Sequence, residues 1–169
     1  IDAGINHNFL AASLDHAFTD RLTGIVLGGG QRYSDDNERI HLRGWLIYSL
    51  FPEHGLALQL RARGYDSSRR GSLFYFNPER YENADIGLRW RAAVSGWRIF
   101  ATAAAGEERI DHDVTNPTRF VQLHVDRVLA KDIRVGARYA YSRAAGEDGG
   151  NGSGTYSWRY LRFFVVAPF

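Results

Sequence analysis

Ile133-Arg134-Val135-Gly136-Ala137-Arg138-Tyr139-Ala140-Tyr141-Ser142-Arg143 is the stretch that decides the fold. One set of alternate positions holds Ile133, Val135, Ala137, Tyr139 and Tyr141. The other holds Arg134, Gly136, Arg138, Ala140 and Ser142. Successive side chains of a strand point to opposite faces, so this period of two predicts a strand between an apolar and a polar medium. Soluble strands average about five to six residues. A tilted strand crossing a bilayer needs about nine to eleven, and this stretch has that length.

The pattern recurs along the chain. Ala84, Ile86, Leu88, Trp90 and Ala92 oppose Asp85, Gly87, Arg89 and Arg91. Leu56, Leu58, Leu60 and Ala62 oppose Ala57, Gln59, Arg61, Arg63 and Tyr65. Ile40, Leu42, Gly44, Leu46, Tyr48 and Leu50 oppose His41, Arg43, Trp45, Ile47 and Ser49. Trp97, Ile99, Ala101, Ala103 and Ala105 oppose Arg98, Phe100, Thr102, Ala104, Gly106 and Glu108. Val121, Leu123 and Val125 oppose Gln122, His124 and Asp126, and Leu161, Phe163 and Val165 oppose Tyr160, Arg162 and Phe164. Two less regular strands are expected near 5–19 and 23–34. The fold class expected is therefore all-β: an antiparallel transmembrane β-barrel with about nine strands in this chain.

Connections support that reading. Short links fall at 20–22, 52–55, 95–96 and 130–132; longer polar links are expected at 66–80, 113–118 and 144–154. Only 35–37 is short where a long one is due. Short turns on one side and long loops on the other characterise outer-membrane barrels. Aromatics on the apolar faces suggest two girdles: Tyr48, Trp90, Trp97 and Phe169 toward the short turns, and Tyr33, Tyr139 and Tyr141 toward the loops.

Composition bounds the rest. The chain has 169 residues, enough for one domain, with 21 Lys+Arg against 19 Asp+Glu. This near balance offers no case for nucleic acid. Cys is absent, which removes disulfides and thiolate metal sites. No run approaches the roughly 18 apolar residues of a membrane helix. Bacterial barrels have even strand counts with both ends periplasmic. Nine strands therefore mean either that one strand is misread or, the preferred expectation, that further strands precede Ile1, making 1–169 a single barrel domain or the C-terminal portion of one.

With apolar faces toward lipid, the opposite faces line an interior. The residues expected along it are Arg43, Arg61, Arg63, Arg89, Arg91, Arg98, Arg134, Arg138 and Arg162, with Trp45, Trp158 and Tyr160. Inward carboxylates are fewer: Asp15, Asp85, Glu108 and Asp126. Guanidinium groups bind carboxylates and sugar hydroxyls in planar geometry, and aromatic faces stack on sugar rings. Such a lining suits a water-filled conduit. It also suits a small barrel plugged by its own arginine–carboxylate struts.

Enzymatic sites are weakly signalled. The six histidines show no helical zinc spacing, and no Gly-x-Ser-x-Gly elbow occurs. Asp111-His112-Asp113 could form a site at a loop rim, but a polar loop edge has the same composition. Gly28-Gly29-Gly30 is followed by no Lys and opens no helix. It is expected to let a strand bend or pack closely. Gly146–Gly154 is a low-complexity loop, with only a weak suggestion of a calcium site. No enzyme activity, metal or cofactor is expected.

Two resemblances add to this. The end Phe163-Phe164-Val165-Val166-Ala167-Pro168-Phe169 resembles the sorting signature of bacterial outer-membrane proteins. That resemblance implies recognition by the barrel-assembly machinery through the Phe169 strand. Tyr75-Phe76-Asn77-Pro78-Glu79-Arg80-Tyr81 looks like an element of exopolysaccharide export porins, the C-terminal barrels of tetratricopeptide-repeat proteins for cellulose or poly-N-acetylglucosamine. Tyr139-Ala140-Tyr141-Ser142-Arg143 and Trp158-Arg159-Tyr160-Leu161-Arg162 are similar in style. The resemblance implies a porin-like conduit in the outer membrane of a Gram-negative, biofilm-forming bacterium, among outer-membrane lipid and lipopolysaccharide. The arginine excess departs from a cationic polymer and favours an anionic or neutral polysaccharide. A closed structural or adhesive barrel, or a rim-sited hydrolase, are the alternatives.

Overall fold

The computed structural model describes residues 4–71, 75–111, 114–129, 133–146 and 154–167. They form one antiparallel sheet: β1 (His7–Ala17), β2 (Leu22–Tyr33), β3 (Glu38–Phe51), β4 (Leu56–Ser67), β5 (Arg80–Val94), β6 (Trp97–Ile110), β7 (Val114–Val128), β8 (Arg134–Gly146) and β9 (Gly154–Val166). Strand order in space follows sequence order, each strand pairing with the next, and β1 and β9 are the two edges. All nine expected strands are present. Their lengths, 11 to 15 residues, fit a tilted bilayer crossing and exceed ordinary soluble strands.

The sheet is curled, so its polar face is concave. Arg61 on β4 reaches the ring of Phe120 on β7, 5.4 Å from its centroid. Asn83 on β5 approaches the Thr118 hydroxyl on β7, with β6 between them. The concave floor is close-packed from small and polar side chains: Ala57, Gln59, Asn83, Thr102, Glu108, Asp126 and Ala140 are all buried.

The convex face reverses the rule of a soluble core. Leu10 is 82% exposed, Ile40 71%, Phe163 75% and Val165 70%, and Leu42, Leu60, Ile86, Leu88 and Leu161 are exposed with them. Covering one such side chain is worth about 1.5–3 kcal/mol. A contiguous apolar surface of this extent marks a site covered by another apolar phase. Tyr48, Trp90 and Trp97 also stand on this face toward the short turns, as expected, and Tyr139 and Tyr141 lie on it too.

Local chemistry explains the tightest turn. Ser95 and Gly96 both have positive φ, 50° and 80°, the pattern of a two-residue type I′ turn whose twist matches the flanking strands. At Gly29 on β2, an added Cβ would meet the Ala11 Cβ at 2.8 Å, so the glycine allows close approach to β1, in line with the sequence expectation.

Three expectations are corrected. Residues 114–118 are not loop but the start of β7, and β8 runs on to Gly146 instead of ending at 143. The connection between β6 and β7 is therefore only 111–113, and strict alternation of short and long links is lost. The start of β7 carries Thr115, Asn116 and Thr118, polar on both faces, so alternation disappears there although pairing continues. Tyr33 is not on the apolar face. It lies on the concave side, stacked on Tyr75 with centroids 4.8 Å apart, because the glycine run obscures the alternation of β2. Residues 112–113, 147–153 and 168–169 lie outside the described residues. With them lie His112, Asp113, most of the Gly146–Gly154 loop, Pro168 and Phe169.

Candidate functional site

Strand register places every expected lining residue on the concave face. Arg43 and Trp45 come from β3, Arg61 and Arg63 from β4, Arg89 and Arg91 from β5, Arg98 from β6. Arg134 and Arg138 come from β8, and Trp158, Tyr160 and Arg162 from β9. Alternation fixes this: once Trp45 points inward, its partner Arg61 must, and Asp85 opposite Arg61 follows.

The structure divides these residues into two groups. Five of them, Arg43, Trp45, Arg61, Arg63 and Trp158, line one cleft of about 440 Å³, together with Asn83, Asp85, Thr118, Phe120 and Ser142. A second cavity of about 340 Å³ adjoins it toward the loop end, bounded by Arg39, His41, Tyr65, Phe76, Tyr81 and Glu108. Arg43 and Arg63 border both. Tyr160 stacks on Trp158 at 5.5 Å with planes 4° apart, extending the aromatic wall along β9.

Of the remaining arginines, Arg98, Arg134 and Arg138 form a polar cluster nearer the short turns. Asp126 is paired with Arg98, lies 3.9 Å from Arg134 Nε, and is 3.3 Å from His124 Nε2. Arg138 meets His124 Nδ1 at 3.4 Å. Arg91 lies over the ring of Phe100 at 5.5 Å. This part of the face resembles the strut arrangement anticipated from sequence.

Charge in the cleft is only partly compensated. Arg61 Nε donates to Asp85 Oδ1 at 2.6 Å, and the pair is largely shielded from solvent. Arg63 donates to the Tyr81 hydroxyl at 2.8 Å, and Tyr81 in turn donates to Glu108 Oε2 at 2.8 Å. Among the described residues no carboxylate lies within ion-pair distance of Arg43, Arg89 or Arg162. Arg43 sits directly opposite Arg63 across β3 and β4, and Arg138 directly opposite Arg162 across β8 and β9. Like charges so placed repel and create a positive field that an incoming anion relieves.

The loop motif singled out in the sequence has a mechanical role at the rim. Asn37, 1% exposed, donates to the Tyr75 hydroxyl at 3.0 Å and to Asn77 Oδ1 at 2.9 Å. Its own Oδ1 accepts from Arg69 N and the Ser68 hydroxyl. Arg39 donates to Phe76 O and Asn77 Oδ1, with its guanidinium 4.2 Å from the Tyr65 centroid. Tyr75 donates to Asp35 Oδ2 at 2.9 Å, and desolvation, with that carboxylate adding to it, raises its phenol above the ordinary range. The loop is thereby clasped to the turn between β2 and β3, and Phe76 is held edge-on to Tyr81 at the cavity wall. Leu73 and Phe74 lie outside the described residues.

Sequence reasoning missed Arg39, Asn37 and Phe120. Arg39 continues the alternation of Arg43 and His41 and could have been found by extending β3 by one residue. The Asn37 side chain carries no local signal, because its partners are 31 to 40 residues away. Of the rim trio, the described member Asp111 is engaged structurally, accepting from Arg80 N at 2.9 Å and pairing with Arg70 at 3.1 Å. His41 contacts Gln31 Oε1 at 3.0 Å.

No family model and no curated protein sequence matches the chain. Among solved structures it is similar to a bacterial polysaccharide outer membrane secretin, with a TM-score of 0.78 and 14% sequence identity. The likeness covers 98% of this chain and 57% of that one, so the chain spans a little over half the length of its structural neighbour.

Proposed function

We propose that this chain is part of an outer-membrane β-barrel through which a polysaccharide passes. The observation that carries the reading is the inversion of the sheet. Large apolar side chains cover the convex face, while arginines, amides and aromatics line the concave one. A strand sheet of this polarity is stable where hydrocarbon covers the outside and water fills the inside. The fold likeness to a polysaccharide outer membrane secretin supports both the location and the cargo class.

The cleft has what a passing glycan needs. Trp45, Trp158 and Tyr160 offer ring faces to sugars; Asn83, Ser142 and Thr118 offer exchangeable hydrogen bonds. The contacts are many and individually weak, which lets a polymer move on after binding. Ten arginines face the concave side, Arg39 included, against Asp15, Asp85, Glu108 and Asp126. An anionic or neutral polysaccharide suits that field better than a cationic one. The finer kinship, with barrels of tetratricopeptide-repeat export proteins, rests on the Tyr75-Phe76-Asn77-Pro78 element and Tyr81.

The test is efflux from proteoliposomes carrying the full-length protein. Entrapped uronic-acid oligosaccharides should leave faster than glucosamine oligomers of equal length, and neutral glucans should leave at measurable rates. Retention of all three would refute the conduit and favour a closed structural barrel, for which the Arg98–Asp126–Arg134 cluster would be the internal strut.

A further inference from the structure

We propose that Arg119, Arg143 and Arg159, on the convex face, form a binding site for the phosphate group of a membrane lipid. The inference rests on the reading above that this face meets hydrocarbon.

Arg119 on β7 sits directly opposite Arg143 on β8. Arg159 on β9 sits opposite Tyr141, two residues from Arg143 on the same face. Directly opposed side chains have Cβ atoms about 5 Å apart, and diagonal ones about 7–8 Å. Three guanidinium groups therefore share one small area of surface. From each of them the apolar ladder begins at once toward the short turns: Val121 and Leu123 after Arg119, Tyr141 and Tyr139 before Arg143, Leu161 and Phe163 after Arg159. The three arginines thus edge the apolar band at its loop end, the level at which lipid headgroups lie.

Elsewhere along this edge two arginines have carboxylate partners within the protein. Arg32 lies 3.8 Å from Glu38, and Arg80 lies 2.6 Å from Glu82 and 3.9 Å from Asp66. On β7 to β9, among the described residues, no carboxylate is within ion-pair distance of Arg119, Arg143 or Arg159. Glu107 on β6 is the acidic residue nearest in register; it faces Pro117 and is only diagonal to Arg119. A directly opposed arginine pair is unfavourable unless an anion sits between the two. Phosphate has the charge and the planar sets of oxygens that guanidinium groups bind in bidentate fashion. Acyl chains attached to it would lie along Val121, Tyr141 and Leu161.

The experiment uses the full-length protein in detergent, titrated with bisphosphorylated lipid A, its dephosphorylated counterpart and inorganic phosphate, with bound lipid counted by native mass spectrometry. Phosphorylated lipid A should bind at least about tenfold more tightly than the dephosphorylated form, since hydrogen bonds to charged groups are worth about as much as that ratio. The Arg119→Gln/Arg143→Gln variant should lose that preference while keeping the heat-modifiable gel mobility of the folded barrel. Equal binding of both lipids, equal binding by the variant, or competition by millimolar inorganic phosphate alone would each overturn the proposal. Flotation of the protein with vesicles separates the premises: a protein that floats but shows no phosphate preference loses this site only, and one that does not float loses the membrane reading itself.

Discussion

Arg43 and Arg63 face each other directly across β3 and β4, at the junction of the two cavities on the concave face. Arg63 is anchored by the Tyr81 hydroxyl, whereas among the described residues Arg43 has no ion-pair partner. Of the two, Arg43 is therefore the guanidinium free to attract an anion, as a conduit would require. Arg43→Glu converts a repulsive cross-strand pair into an attractive one and removes two units of positive charge from the path. In planar bilayers the reversal potential under a salt gradient should move toward cation preference. An unchanged reversal potential would place Arg43 off the ion path.

Trp45 and Trp158 come from strands six apart in sequence order and yet line one cleft, the second extended by Tyr160. Aromatic contacts of this kind are worth about 0.5–1.5 kcal/mol each beyond simple burial. Replacing both tryptophans by alanine should weaken block of the ion current by added oligosaccharide by about tenfold, given roughly 1.4 kcal/mol per factor of ten. Current in the absence of sugar should not fall. Full block by the same sugar concentration in the double variant would remove these rings from the glycan path.

Ile86 is half exposed in the middle of β5, between Asp85 and Gly87 on the opposite face. If hydrocarbon covers it, Ile86→Arg should cost about 2–4 kcal/mol, as arginines do near the midplane of a barrel. Denaturant unfolding in lipid vesicles measures this directly. A cost near zero would show that water already wets the position.

Asn37 closes the rim with both ends of its amide, to Asn77 and Tyr75 on one side and to Arg69 and Ser68 on the other. Its replacement by alanine leaves buried groups unpartnered, at about 1–3 kcal/mol each. Arg69 and Arg70 then become the probe. Trypsin should cleave after them at least fivefold faster in Asn37→Ala than in the parent protein. Identical cleavage rates would mean that the clasp does not hold the loop.

What could be read beforehand follows the physics of the two faces. β5 and β8 were legible because Ile86, Leu88, Val135 and Ala137 share a face that meets one medium only. The stretch 114–118 was not, because Thr115, Asn116 and Thr118 stand beyond the apolar band, where a paired strand and a polar loop have the same composition. The lining arginines were legible by parity alone, since Arg43, Arg61 and Arg63 occupy the positions opposite Leu42 and Leu60. Their grouping was not: the approach of Arg61 to Phe120 depends on the curl of the sheet, and the hub at Asn37 on residues far along the chain. The face of Tyr33 is not legible, because three glycines before it carry no side chain to mark the parity.

Each strand here pairs only with its neighbours in sequence, and the ladder of Tyr81–Val94 against Ile110–Trp97 is closed by two residues at Ser95 and Gly96. A chain so arranged can be assembled one hairpin at a time, with little loop-closure entropy at any step. It also means that such a polypeptide released into water would display its greasy side before any shelter existed. If a bilayer is what covers that side, the polypeptide has to stay unfolded until its first hairpin reaches the membrane.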